Sequence, residues 1–376
     1  MIEMASELER YRNWEHVGKT DDDLFREWLS SIPIGKKETN HTLQDFYDPE
    51  DKQKNHYTQN WPAYDAAKTQ EEVLFYQLLA ELLFYAIDKA PPTGGRQGFD
   101  NATKIFCMIT KGYNPASFRR IKGKLQQLSK IGYIPKVPSF KSIDNFFHDE
   151  KLIPILDNLI TMTSLPLAMF EETAALDSSG FSVSKYVQWI NYKYGKEPCK
   201  QRSWVKAHVL SGTKTNIIFQ MKVSPSSVAD APTFTPILRD ARRFLSVKDI
   251  VADKGYLSRQ NFQIAQELGL VAYIPFKSNS TGKSKGHRAW GHMFKAFKEH
   301  FDDYMKRYHR RSNAETVFHM LKTRFGASLS TKSLQANAIE LKIRAICHNI
   351  CVLIQEMYES VAEVDFLKIT NTYKWS

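Results

Sequence analysis

The stretch VKDIVADKGYLSRQNFQIAQELGLVAYIP, residues 247–275, decides the fold. Val247–Ala252 reads as a buried-type strand that ends at Asp253. Ser258–Leu268 reads as a helix closed by Gly269, and Leu270–Pro275 as another short apolar strand. Strand, helix and strand in close succession form a crossover unit, which lays two strands parallel in one sheet with the helix against its face.

Upstream of this unit, Thr173–Asp177 is short and small-to-apolar, and Trp204–Leu210 alternates. The turn Ser211-Gly212-Thr213 and the run Asn216–Val223 complete a hairpin. Ala229–Phe244 is a helix entered at Asp230, with Pro232 tolerated in its first turn. Downstream, the basic Gly- and Ser-rich loop KSNSTGKSKGHR, residues 277–288, leads into a long helix through about Phe325. A final apolar helix runs from Ser333 to about Glu359. Right-handed crossovers make the first, fourth and fifth strands parallel neighbours. The result is an α/β chain with a mixed five-stranded sheet flanked by helices, an RNase H-like layout.

The N-terminal part is different. Residues 1–60 are polar, with acid at Asp21 to Asp23 and the turn-rich patch DFYDPEDKQKN, and read as a partly ordered arm. TQEEVLFYQLLAELLFYAIDKA, residues 69–90, reads as a helix capped by Thr69 that ends before Pro91-Pro92-Thr93-Gly94-Gly95. Then come three short helical segments, DNATKIFCMITKGY, PASFRRIKGKLQQLSKIGY and SFKSIDNFFHDEKL, broken at Pro115, Pro135 and Pro138. Short helices and tight turns suggest a helix-turn-helix-like DNA-reading unit, with Arg119, Arg120, Lys122 and Lys124 as phosphate contacts. A basic packing module with no DNA role is the alternative. The expected organisation is an arm (1–60), a helical DNA-binding domain (61–165), a catalytic domain (166–360) and a tail (361–376).

Charge supports a polyanionic partner. The formal net charge is +11, and it is unevenly spread. Residues 1–65 are net acidic, whereas residues 96–143 hold many bases and Asp100 as their single acid, and residues 276–324 are again strongly basic. Two basic blocks behind an acidic leader suit a protein gripping DNA at two places, although solvated helix faces have the same composition. The four cysteines are too few and too irregular for a disulfide framework, which makes a reducing cytoplasm the expected compartment. Cys347, His348 and Cys351 lie in a mostly apolar helical run with no second ligand pair, and so read as a buried helix face instead of a zinc site. The opening MIEMASELERYRNW is not a charged-then-apolar leader, and no apolar stretch reaches the roughly 18–20 residues of a membrane span.

Three acids stand in informative places: Asp177 and Asp253 at strand ends, and Glu315 in the segment YHRRSNAETVFHMLKTRFG, residues 308–326. Adjacent parallel strands would bring the two aspartates to one sheet edge. Three gathered carboxylates repel unless a hard cation neutralises them, and Mg²⁺ takes oxygen ligands of this kind. Singly, each acid is an ordinary turn former or helix charge. Tyr308, Arg311, Glu315 and Lys322 shift that reading. On one helix they would share an arc of about 60° at roughly 100° per residue, a poor core face but a good surface for a metal and a phosphate backbone. Lys254, beside Asp253, adds a phosphate contact. Trp290 either stacks on an unpaired base or anchors the basic loop to the core, and His208 and Lys206 either approach DNA or pack.

In these residues the chain resembles the DDE transposases of bacterial and archaeal insertion sequences. Tyr308, Arg311, Glu315 and Lys322 match the Y-x2-R-x3-E-x6-K motif of that family at every spacing. AALDSSGFS and DIVADKGY are similar to the contexts of its first and second aspartates, and ICHNICVLI is similar to its closing helix. The resemblance implies an RNase H-like catalytic domain and two Mg²⁺ ions, replaceable by Mn²⁺, held by Asp177, Asp253 and Glu315. It also implies excision and insertion of a mobile element by a homodimer bound to double-stranded DNA ends. The connection from Asp253 to Glu315 is too short for the large all-β insertion of some relatives. Two further readings stay open: a nuclease on the same fold that cuts without joining, and a catalytically idle DNA-binding derivative.

Overall fold

The computed structural model describes residues 60–87, 98–183, 204–360 and 362–372, all within one compact unit. The expected N-terminal arm, the Pro91–Gly95 loop and Cys199 lie outside the described residues.

The crossover unit forms as expected, with β4 at Asp249–Ala252, α7 at Arg259–Glu267 and β5 at Val271–Tyr273. Ser258 caps α7 by accepting from the Asn261 amide, and Gly269 leaves the helix with φ 68°. The sheet has the order β3-β2-β1-β4-β5. Here β1 is Thr173–Ser182, β2 Trp204–Gly212 and β3 Ile218–Pro225. β1 runs parallel to β4, β4 runs parallel to β5, and β2 is antiparallel to both its neighbours. The chain thus has the mixed five-stranded sheet flanked by helices of an α/β, RNase H-like fold. β1 is longer than its apolar run predicts. β2 pairs with it as far as Ser182↔Trp204, so backbone hydrogen bonding carries the strand past its polar residues. Gly180 permits this pairing, because a Cβ there would stand 2.9 Å from the Trp204 ring.

On the N-terminal side are α1 (Trp61–Ala86), α2 (Asn101–Tyr113), α3 (Ile121–Ile131), α4 (Phe140–Phe146) and α5 (Ile153–Ala168). α1 begins well before Thr69, whose hydroxyl instead donates to the Asp65 carbonyl inside the helix. Asn60 is the cap, and Pro62 sits in the first turn, where its missing N–H costs nothing. Between the sheet hairpin and β4 lies α6 (Ala231–Arg242), entered at Asp230 as expected.

The long helix expected through Phe325 is instead three: α8 (Arg288–Glu299), α9 (Phe301–Tyr308) and α10 (Ser312–Phe325). The breaks fall at His300 and at a 3₁₀ turn, His309–Arg311. Aromatic packing accounts for the bends. Phe297 packs on Phe276 and Tyr304, and the Tyr304 hydroxyl bonds both the amide and the carbonyl of Ile274 at the end of β5. A straight helix would carry these rings away from the sheet edge.

α11 (Leu334–Glu359) is the buried spine, capped by Ser333. Its Asn349 side chain accepts from the Ile218 amide and donates to the Ile218 carbonyl, so the helix ties into strand β3 by a two-way bridge. α1, α2 and α5 pack on the same spine, so the N-terminal helices and the sheet share one core. Cys347 and Cys351 are buried there. Burial holds His348 neutral, down at about 4, with its ring against the Asn216 carbonyl. These three residues are core, as expected. Residues 366–372, read from the sequence as part of a tail, form α12, with Phe366 fully buried. Among the described residues no helix is long and apolar enough to cross a membrane.

Candidate active site

The parallel register sets the two aspartates. Leu176 pairs with Ala252, so Asp177 and Asp253 are the next residues on adjacent strands and leave the sheet toward the same face. Neighbouring strands lie roughly 4.8 Å apart, which is the scale of their separation. Ser178 pairs with His208 and therefore faces the other side of the sheet.

α10 is laid along β1 by contacts at both ends. Arg310 donates to the Thr173 hydroxyl at 2.9 Å, and Asn313 donates to the Thr213 carbonyl. Past the helix, Gly326 turns the chain with φ 89°. The Ser182 amide then donates to Ala327, and the Leu329 amide to Ser182, fastening this segment to the end of β1. Lys322 is thereby held against the strand at Ser179, and Glu315 is joined to it through Arg311.

Arg311 is the centre of the motif. Its guanidinium donates to Asp177 at 2.9 Å, to Glu315 at 2.6 Å and to the Tyr308 hydroxyl at 3.1 Å. Lys322 donates to the Ser179 hydroxyl at 2.6 Å and lies over the Phe181 ring. The four motif residues do not share one regular helix, because the 3₁₀ turn at His309–Arg311 breaks the wheel. They converge because that turn swings Arg311 onto the strand. Ser179 was not anticipated from the sequence, although its spacing of two from Asp177 is the signal that puts it on the same face.

Electrostatics follow the geometry. Burial raises the pKa of Asp177 above the ordinary carboxylate value, and the charges of Asp253 and Glu315 add to the rise. The Ser178 amide, 2.8 Å from the carboxylate, and Arg311 work against it. Burial opposes the charge of Arg311, but Tyr308, Glu315 and Asp177 together hold it firmly protonated. Burial also raises the pKa of Tyr308 and lowers that of Lys322.

A hard cation suits this donor set in charge and chemistry: the half-buried Asp177 feels the charges of both Asp253 and Glu315, a repulsion only partly relieved. The expected ready-made pocket is not formed, however. Among the described residues no three acids, histidines or cysteines stand close enough to hold a metal ion. The reason is visible in the site: a guanidinium already bridges Asp177 and Glu315 and fills the role of counter-ion.

Residues 168–350 match the family model described as the transposase DDE domain. These residues form a transposase DDE domain. No solved structure matches the chain. The transposase domain spans β1 to α11, and so contains all three acids and the whole Tyr308–Lys322 motif.

The other expected residues fall outside this convergence. Lys254 is exposed on the turn after Asp253. Arg119, Arg120 and Lys122 are exposed on and before α3, with Arg119 stacked on the Phe140 ring. Lys124 turns back to pair with Glu72 of α1 and lies over Tyr76, so it is the least available of the four. Trp290 is buried among Phe262, Phe276 and Arg259 and donates to the Thr281 carbonyl at 2.7 Å, which anchors the basic loop and rules out base stacking. His208 is fully buried and bonded to Tyr256 and Ser224, and Lys206 pairs with Asp230, so both are structural.

Proposed function

We propose that the protein is a transposase that binds the ends of an insertion sequence, cleaves DNA there and joins the freed end to a target. The side-by-side placement of Asp177 and Asp253 on parallel strands, with Glu315 joined to Asp177 through Arg311, carries this reading. Asp177, Asp253 and Glu315 would hold divalent metal, Mg²⁺ or Mn²⁺ in its place. Two such ions, when bound, neutralise the acids and activate the attacking and leaving oxygens of a phosphodiester.

The protein's own groups bind and orient the DNA. Arg311 offers a planar fork to a phosphate once it leaves the carboxylates, and Lys322 and Lys254 offer point charges on either side. Tyr308 steadies Arg311 from behind. Water attacks the phosphorus at the element's end and the P–O3′ bond breaks, leaving a 3′-hydroxyl. That hydroxyl then attacks a target phosphodiester, forming one P–O bond and releasing a target 3′-hydroxyl. Arg119, Arg120 and Lys122 position the terminal duplex through its backbone, with Lys124 joining them only if it leaves Glu72, and the loop 277–288 forms the second basic grip. A homodimer on paired ends would serve both cuts, within the cytoplasm of a prokaryotic cell.

The test is a plasmid carrying the DNA that flanks the gene, incubated with protein and Mg²⁺. Nicking and strand-transfer product are expected, both lost in Asp177→Ala. Nicking without joined product would favour the cut-only nuclease. Gel-shift binding to the flanks with no Mg²⁺-dependent nick would favour an idle derivative.

A further inference from the structure

The helix α3, Ile121–Ile131, has two unlike sides. Ile121, Leu125 and Leu128 are buried, and the helix packs on α2. Gly123, Gln126, Gln127 and Lys130 are exposed on the other side, within an arc of about 100° at roughly 100° per residue. Lys122 is exposed beside them, where the chain enters the helix from Arg119 and Arg120. No hydrogen bond or ion pair joins the side chains of Lys122, Gln126, Gln127 or Lys130 to another described residue.

An ordinary solvated helix face is built differently. It sets an acid three or four residues from a lysine, since such pairs support the helix. Gln126 stands four residues from both Lys122 and Lys130, and is an amide where a glutamate would pair with both. From Asn101 to Ile143 the chain has no acidic residue, so nothing local offsets the positive charge of this face. Gly123 departs from the ordinary pattern too. Glycine is a poor helix former. Its backbone here is not left-handed, and a Cβ would meet nothing within 4 Å. No described neighbour requires it to lack a side chain. Its bareness serves something that approaches from outside.

A bare glycine, two amides and flanking cations are the chemistry of a helix that reads duplex DNA. A glutamine amide donates to adenine N7 and accepts from adenine N6 in the major groove, which is about 12 Å wide and admits a helix. Lysines at the rims of such a helix take phosphates on either wall. The eleven residues of α3 span about 16 Å, enough to meet several successive base pairs. We propose that α3 is the sequence-reading helix of the protein. It lies in the major groove of the terminal duplex, where Gln126 and Gln127 read base edges, adenine foremost. Gly123 lets the helix close on the groove floor, and Lys122 and Lys130 hold the flanking phosphates. This rests on the end-binding reading given above and adds where the sequence information is read.

The test is binding of the full chain to a labelled duplex from the DNA that flanks the gene, against a shuffled duplex of the same composition, over a range of salt. Wild type should prefer the flank. Gln126→Ala with Gln127→Ala should weaken binding to the flank by about tenfold or more, as loss of a bidentate base contact does, and leave the shuffled duplex and the salt dependence unchanged. Gly123→Gln, whose side chain has room in the free protein, should weaken flank binding to a similar extent with no loss of far-UV helix signal. Lys122→Ala with Lys130→Ala should weaken both duplexes alike and lower the slope of log affinity against log salt by about 1.8. A double glutamine variant that keeps the wild-type preference for the flank overturns the proposal, as does Gly123→Gln binding the flank as wild type does. If wild type itself shows no preference, the end-binding reading fails, and the role of α3 falls with it.

Discussion

Glu71 on α1 and Arg324 near the end of α10 offer a measurable test of whether the N-terminal helices and the motif helix share one folding unit. Glu71 is buried, and its carboxylate is bonded by Arg324, Lys68 and Tyr113. Burial alone would push its pKa up. The cations and the tyrosine more than reverse that and bring it from 4.5 to about 2. A folded pKa below the unfolded one means that the ionised form stabilises the fold. That stability is complete above about pH 4.5 and disappears as the pH falls through 2. At about 1.4 kcal/mol per pKa unit the shift corresponds to roughly 3 kcal/mol at neutral pH. Glu71→Gln should therefore lower unfolding stability by roughly 3 kcal/mol at pH 7. The deficit should shrink steadily below pH 4.5. Urea unfolding of both proteins at pH 7, 5, 4 and 3, followed by far-UV circular dichroism, reads this out. A deficit that stays constant from pH 7 to pH 3 would refute the charge argument and leave only lost packing. No deficit at pH 7 would refute the pairing itself.

Further outcomes follow from the site and its surroundings. Asp177→Asn, Asp253→Asn and Glu315→Gln should each cut Mg²⁺-dependent DNA cleavage by on the order of 10³-fold, about 4 kcal/mol at the transition state, while gel shifts still show DNA binding. Arg311→Ala should bind Mn²⁺ more tightly than wild type in the absence of DNA, because the guanidinium no longer competes for Asp177 and Glu315, yet cleave DNA more slowly; equal Mn²⁺ affinity would show that the bridge is not a barrier. Replacing Arg119, Arg120 and Lys122 together by Ala should flatten the salt dependence of duplex binding by about 2.7 log units per log unit of salt if each neutralises one phosphate. Trp290→Ala should destabilise the protein by about 3–5 kcal/mol, since the ring is enclosed by Phe262 and Phe276.

The sequence shows the sheet plainly where its patterns are local. The crossover unit at 247–275 was readable because a capped helix and two apolar runs sit within one window, and the parallel placement of Asp177 beside Asp253 then follows from handedness. The length of β1 was not readable. Its second half, Ser178–Ser182, is polar and glycine-containing, and only pairing with β2 makes it a strand. The division of 288–325 into three helices was likewise hidden, because helical periodicity continues through His300 and His309 while the bends answer to Phe276 and Ile274 far along the chain. The motif spacing picked out Tyr308, Arg311, Glu315 and Lys322, of which the first three meet at the Arg311 guanidinium while Lys322 reaches Ser179. It could not show that Arg311 lies between two acids, since that depends on a 3₁₀ turn and on the strand it meets.

The central claim is that Asp177, Asp253 and Glu315 close around a divalent cation when DNA draws Arg311 away. Anomalous diffraction at the manganese edge, from crystals of the protein bound to a DNA end in Mn²⁺, addresses it directly. The expected map has a peak contacted by Asp177 and Asp253, with Glu315 completing the ligands and Arg311 turned onto a phosphate. A map with Arg311 still bridging Asp177 and Glu315, and no manganese at the carboxylates, would contradict it.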